Sequence, residues 1–207
     1  GTVTGPFTAN YNGTLTLGGA GGTGELRVFL ADAANSVANF NGPVVLANDA
    51  AIHVRDNANL AVTTVTGVIS EVGLGRSLTV NGPAGGGAAW GGTAGVLRLE
   101  GANTFTGDLL VRAGTVEFST ISDIAGPASN LGQGTGITLG GIASSTLRFV
   151  GNSSQSSNRP ITMVSGTTLS ANGTGGSTIT YAGGITAAGN TLTLPGVAGN
   201  GGIISGG

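Results

Sequence analysis

The stretch GVLRLEGANTFTGDLLVRAGTVEF, residues 95–118, decides how this chain is read. Leu97 and Leu99, Leu109 and Val111, and Val116 and Phe118 make three apolar alternations with polar or small residues between them. A period of two is the pattern of strands that bury one face. The polar turn GANTFTG separates the first alternation from the second, so one short strand leads into another. With those six side chains inward, Arg98, Glu100, Asp108, Arg112 and Glu117 point outward. Opposite charges on adjoining outward strands are then expected to form exposed pairs, each contributing about 0 to 1 kcal/mol.

The same alternation recurs along the chain. Inward candidates are Leu15 and Leu17, Leu26 and Val28, Ile52 and Val54, Leu78 and Val80, and Ile137 and Leu139. Leu147 and Phe149, Ile161 and Met163, Ile179 and Tyr181, and Leu192 and Leu194 continue the series. No segment carries a 3.6-residue apolar stripe, and VFLADAANSVANF, residues 28–40, is the one place where a helical turn is plausible. The 42 glycines and 4% aromatic residues among 207 exclude a thick aromatic core. Positive mean hydropathy and recurrent Leu, Val and Ile argue against disorder, so the glycines read as punctuation between strands.

Strands this short cannot bury a face alone, and they repeat. Residues 13–28 align with 95–111, NGPVVL at 41–46 echoes NRPITM at 158–163, and VTGVISEVG at 65–73 echoes LPGVAGNGG at 194–202. Repeats of this kind point to a solenoid in which each coil covers the next. The expected fold is all-β: a right-handed parallel β-helix (β-solenoid) of roughly seven to ten coils, on the order of 35 to 50 Å long. A β-sandwich is the alternative. The chain is read as one β-solenoid segment over 1–207, with two degenerate repeat units at about 1–82 and 83–207. Because it begins at Gly1, it is expected to be a fragment of a longer chain or one subunit of a fibre.

Chemistry-bearing residues are sparse. Seven dispersed arginines, no lysine and a formal net charge of −2 give no basic patch for nucleic acid or an anionic membrane surface. No cysteine is present for disulfides or thiolate chemistry, and no apolar run approaches the roughly 18 residues of a membrane span. Glycoside hydrolysis or uronate lysis on a β-helix would need acids gathered from adjacent coils, for which Glu100, Asp108 and Glu117 are the candidates. His53, the single histidine, lies between Ile52 and Val54, so it is expected to face solvent with Arg55 beside Asp56. GGAGGTGELRVFL at 18–30 lacks the aspartate and the iteration of a calcium-binding nonapeptide repeat. NGPAGGGAAWGG at 81–92 lacks the lysine of a phosphate loop and reads as a long mobile loop carrying Trp90. Thr14 with Thr16 and Thr191 with Thr193 raise ice binding, which needs an even ladder on one flat face, and these pairs are not evenly repeated. No catalytic, cofactor-binding or metal residue is therefore assigned.

In residues 95–118 the chain resembles the autotransporter-associated β-strand repeat of bacterial surface proteins, whose usual form is Gly-x-Leu-x-Leu-x-Gly-x-Asn-x-Tyr-x-Gly, an apolar strand, then Ala-Gly-x-Leu. Gly95, Leu97, Leu99, Gly101, Asn103, Gly107, Ala113 and Gly114 fit, with Phe105 in place of the tyrosine and Val116 of the leucine. SNLGQGTGITLGG at 129–141 and NTLTLPGVAGNGG at 190–202 resemble the parts that normally follow. The resemblance implies an extracellular, cell-surface β-solenoid with a mechanical role in a stalk, fibre or filament and no catalytic residues. Its expected partners are further coils or identical subunits stacked end to end. An adhesin with a glycan or protein receptor is the first alternative, placed on loops 81–92 or 151–158, and a polysaccharide lyase or hydrolase the second.

Overall fold

The structure is a computed structural model that describes residues 8–19, 22–30, 36–56, 62–82, 94–195 and 201–204. Each pass of the chain round the axis lays down up to three short strands. The first three passes give β1 (Thr8–Tyr11), β2 (Leu15–Leu17) and β3 (Gly24–Leu30), then β4 (Val37–Phe40), β5 (Val44–Leu46) and β6 (Ala50–Asp56), then β7 (Val62–Val65), β8 (Ile69–Glu71) and β9 (Leu78–Val80). The next two have two strands each: β10 (Val96–Leu99) and β11 (Leu109–Val111), β12 (Gly114–Phe118) and β13 (Ile137–Leu139). Three-strand passes then resume with β14 (Ser145–Phe149), β15 (Gln155–Ser157) and β16 (Ile161–Met163), and with β17 (Thr167–Ala171), β18 (Thr178–Tyr181) and β19 (Ile185–Thr186). β20 (Leu192–Thr193) and β21 (Gly201–Ile204) begin another.

Stacking these passes makes a parallel β-solenoid. Its first face is an eight-stranded sheet, β1-β4-β7-β10-β12-β14-β17-β20, and its second a seven-stranded sheet, β3-β6-β9-β11-β13-β16-β19. The third face is broken into two three-stranded sheets, β2-β5-β8 and β15-β18-β21. All strand pairs among the described residues are parallel, which removes the β-sandwich, and no helix is present among them. Six steps separate the ends of the second face, so the solenoid has about six turns, slightly fewer than the seven to ten expected. At about 4.8 Å per step this is roughly 30 Å of axis.

The opening stretch shows why the alternation produces this shape. From Gly95 to Ala113 every odd-numbered residue is buried and every even-numbered one is partly or fully exposed, straight through the corners at either end of GANTFTG. The phase never slips, so the chain turns its path without turning its apolar side outward. Between coils the inward residues form columns: Leu97, Val116, Leu147 and Leu169 on the first face, and Leu78, Leu109, Ile137 and Ile161 on the second. Phe118 and Phe149 stack in one such column with ring centroids 5.7 Å apart. Each fully buried Leu or Ile contributes about 1.5–3 kcal/mol. The corner between first and third faces is a column of glycines, Gly13, Gly42, Gly67 and Gly101, in which a Cβ on any of the last three would overlap the carbonyl oxygen below.

Three details depart from expectation. Leu194 is 57% exposed, not inward, because no described coil covers it. Residues 28–30 and 37–40 are strand, and 31–35 of the same stretch lie outside the described residues. The aligned stretches 13–28 and 95–111 are not structurally equivalent throughout: Leu26 and Leu109 share the second face, but Leu15 lies on the third and Leu97 on the first. Apolar-x-apolar strands beside glycine corners occur on every face, so sequence similarity alone cannot tell one face from another. The structural repeat is the single pass, between 19 residues (Arg98 to Glu117) and 34 (Ile69 to Asn103).

Candidate functional site

The feature that distinguishes one part of the solenoid from another is the gap in the third face. There the fourth pass crosses as residues 101–107 and the fifth as 119–136, neither forming a strand, and side chains replace the missing ladder. Asn103 Oδ1 accepts from Ile69 N at 2.7 Å and its Nδ2 donates to Asn130 O at 2.6 Å. Asn130 Oδ1 accepts from the backbone nitrogens of Ser119 and Thr120, at 2.8 and 2.9 Å, while its Nδ2 donates to Gly101 O. Phe105 and Leu131, both fully buried, fill the core behind them. Glu71 holds the edge, accepting from Thr106 N and Oγ1 through one oxygen and from Arg76 N through the other.

Beneath this patch lies Arg159, the largest fully buried side chain. Its Nη1 donates to Leu131 O at 2.8 Å and its Nη2 to Gly136 O at 3.0 Å. Burial lowers its pKa to about 10 against the raising influence of Asp108, so the guanidinium stays charged at neutral pH. Asp108 Oδ1 in turn accepts from Gly136 N at 2.8 Å and Thr135 Oγ1 at 2.9 Å. Outside, Asp123 Oδ1 accepts from Asn158 N, and Asn158 Oδ1 from Ile124 N, both at 2.8 Å, tying the 119–136 segment to the next pass. Ala125, at φ 54, turns the tip and Ile124 is 42% exposed there. Asn103 and Phe105 were singled out from sequence as matches to the repeat and Asp108 as a candidate acid, whereas Glu71, Asn130 and Arg159 were not. The available signal was phase, because Arg159 alternates in step with Ile161 and Met163, and Glu71 with Ile69.

The carboxylates weighed for catalysis are not brought together. Glu117, expected outside, is only 6% exposed, because the guanidinium groups flanking it on β10 and β14 close over it. Arg98 Nε and Nη2 reach its Oε2 at 2.8 and 2.6 Å, and Arg148 Nη1 reaches its Oε1 at 2.9 Å. Asp108 belongs to the second face, committed to Thr135 and Gly136, and Glu100 is exposed at the corner after β10. A groove of about 280 Å³ beside Arg98 and Glu100 also touches Ser119 and Val150. Arg112 is partly buried, its stem lying against Gly82.

His53 also differs from expectation. It is 6% exposed, the strand β6 being buried from Ala50 through Val54, and its Nε2 lies 3.9 Å from Glu25 Oε1. Burial lowers its pKa, Glu25 raises it and Arg27 lowers it. A wider open groove, about 570 Å³, passes Thr23, Asn48, Asp49 and Arg76 at the corner between third and second faces. Asn48 is occupied by Gly19 O and Gly22 O there, and Asp49 by Ser77 N. Among the described residues no group of three or more acids and histidines is placed to hold a metal. Of the loop 81–92, residues 83–92 with Trp90 lie outside the described residues, while Asn81 is buried and accepts from Val54 N. The threonines make a ladder only in part: Thr115, Thr146, Thr168 and Thr193 follow one another on the first face, below three valines, Val37, Val62 and Val96. No family model, no curated protein and no solved structure matches this chain.

Proposed function

We propose that the chain is a section of a bacterial extracellular stalk, fibre or filament, with a mechanical role. The observation that carries this reading is continuity: apolar columns pass through the turns, and Glu117, Asp108 and Arg159 are spent on backbone groups or on neighbouring side chains. A substrate would find no convergent acids among the described residues, and about 30 Å of axis is a spacer to which further coils add length. The coil is taken as right-handed, the hand adopted by nearly all strand-to-strand crossovers in a parallel sheet. Antibodies raised against the purified protein should label intact, unpermeabilised bacteria that make it, in linear arrays by electron microscopy. Label found only after permeabilisation would overturn the proposal.

An adhesin reading has one observation in its favour, the ordered loop 119–136 that displays Ile124 on the third face. Binding on a glycan or protein array that is lost when 123–128 is replaced by a glycine linker would move the assignment from stalk to adhesin.

A further inference from the structure

We propose that the β1 end of the solenoid is a docking surface for one particular kind of partner, a parallel β-solenoid coil with an amide or hydroxyl side chain, an apolar residue, a second amide or hydroxyl and then glycine. This rests on the rod reading above and names what the rod joins to. Among the described residues β1, β2 and β3 are the outermost strands there, and all four residues of β1 are exposed.

The coil above β1 shows what fits it. Asn39 Nδ2 donates to Asn10 Oδ1 and Asn41 Nδ2 to Asn12 Oδ1, each at 2.9 Å, and Thr66 Oγ1 donates to Asn41 Oδ1 at 3.0 Å. Every bond in this ladder points the same way. At the last rung Asn10 and Asn12 use their Oδ1 atoms on the coil above, and neither Nδ2 has an acceptor among the described residues. Between them Tyr11, 43% exposed, stacks on Phe40 at 6.0 Å and offers its other face to an apolar neighbour. Gly13 starts the glycine corner column, on which each of the next three coils seats a glycine. The fitting strand therefore resembles residues 39–42, Asn-Phe-Asn-Gly, with side-chain oxygens toward Asn10 and Asn12.

The opposite end of a second copy does not meet these requirements. Thr193 pairs with Thr168, so Pro195 stands where Ser170 stands one coil earlier, in the column that begins with Asn10. Proline brings neither a side-chain acceptor nor a backbone N–H to that rung. Two β1 ends facing each other would set amide donors against amide donors. Charge plays little part, since the rungs nearest this end, Asn10, Asn12, Asn39, Asn41 and Thr66, carry no ionised side chain, and specificity rests on the direction of the amides.

The test inserts a second copy of residues 8–36 between residues 7 and 8 of the full chain, supplying one coil of the required type. Hydrogen exchange at the original Thr8–Tyr11 amides should slow at least tenfold, on the order of one hydrogen bond's worth of protection, and the thermal midpoint should rise. The same insert carrying Asn10→Leu and Asn12→Leu in the inserted copy alone keeps the shape without the amides, and should recover only a minor part of that protection. Unchanged exchange with the first insert, or equal protection with the second, would overturn the proposal. Sedimentation of the unmodified protein should show monomer across concentration, and head-to-tail oligomers would make a second copy the occupant and overturn it as well. Surface labelling tests the rod reading independently, so either inference can fail while the other stands.

Discussion

The two continuous faces and the broken third face reach equal burial by different chemistry. On the first two, β-ladders satisfy the backbone and identical parity stacks Leu, Val, Ile and Phe in columns, so any one position is supported by the same kind of neighbour above and below. On the third, between β8 and β15, individual polar side chains do the work of the ladder: Asn103, Asn130, Glu71 and Arg159 each satisfy two or more specific groups. The lesson is that a solenoid can carry an irregular face where side chains take up backbone groups released from the sheet, because an unpaired buried group costs about 1–3 kcal/mol.

The sharpest way to break the comparison is to put a charge into a continuous column. Leu109→Asp places a carboxylate between the buried side chains of Leu78 and Ile137 and should cost several kcal/mol, read from urea unfolding. A change below about 1 kcal/mol, the size of a surface effect, would mean the column is not core. Next comes Arg159→Ala on the broken face. It strips donors from the buried Leu131 and Gly136 carbonyls and leaves a void, so a loss of about 3–5 kcal/mol is expected in the same assay. The two substitutions should also differ in reach: Leu109→Asp should unfold whole coils, whereas Arg159→Ala should speed hydrogen exchange first within 119–136.

Much of this contrast could be read from the sequence. Alternation in residues 95–118 identified the inward positions, and the burial of Leu97, Leu99, Leu109, Val111, Val116 and Phe118 follows it. The period could have been read too, since Asn-Tyr-Asn-Gly at 10–13 and Asn-Phe-Asn-Gly at 39–42 stack on each other, 29 residues apart. The broken face was less accessible. Asn130 looks like any loop residue until the backbone groups it serves are known, and those depend on how the passes stack. Glu117 and His53 were placed outside because alternation describes the strand alone, whereas their burial comes from what lies over them: two guanidinium groups for Glu117, and for His53 a strand buried along both of its phases.

A smaller effect separates the amide from the apolar part of the broken face. Asn103→Leu retains volume but leaves Ile69 N without its acceptor and Asn130 O without its donor, at a cost of about 1–3 kcal/mol. Asn130→Leu should cost a similar amount, and the double variant should cost less than the sum, since the two side chains share one network. Additive losses in denaturation would show instead that the asparagines serve separate structures.

The smallest expected effect lies on the second face, at His53, and its sign is fixed by burial. Desolvation disfavours the imidazolium, and although Glu25 opposes this, the folded pKa lies below the unfolded value of 6.5. Between those two values the unfolded chain binds more protons than the folded one, so stability rises with pH across that window. The contribution is complete above pH 6.5 and is lost as pH falls through the lowered folded value. Arg159, which titrates at about 10, keeps its charge throughout and adds no slope there. His53→Gln should therefore flatten the fall in urea midpoint between about pH 7.5 and pH 5. If the slope steepens instead, Glu25 outweighs burial at this site, and the second face treats its one histidine as an ion-pair partner where the broken face keeps its arginine among carbonyls.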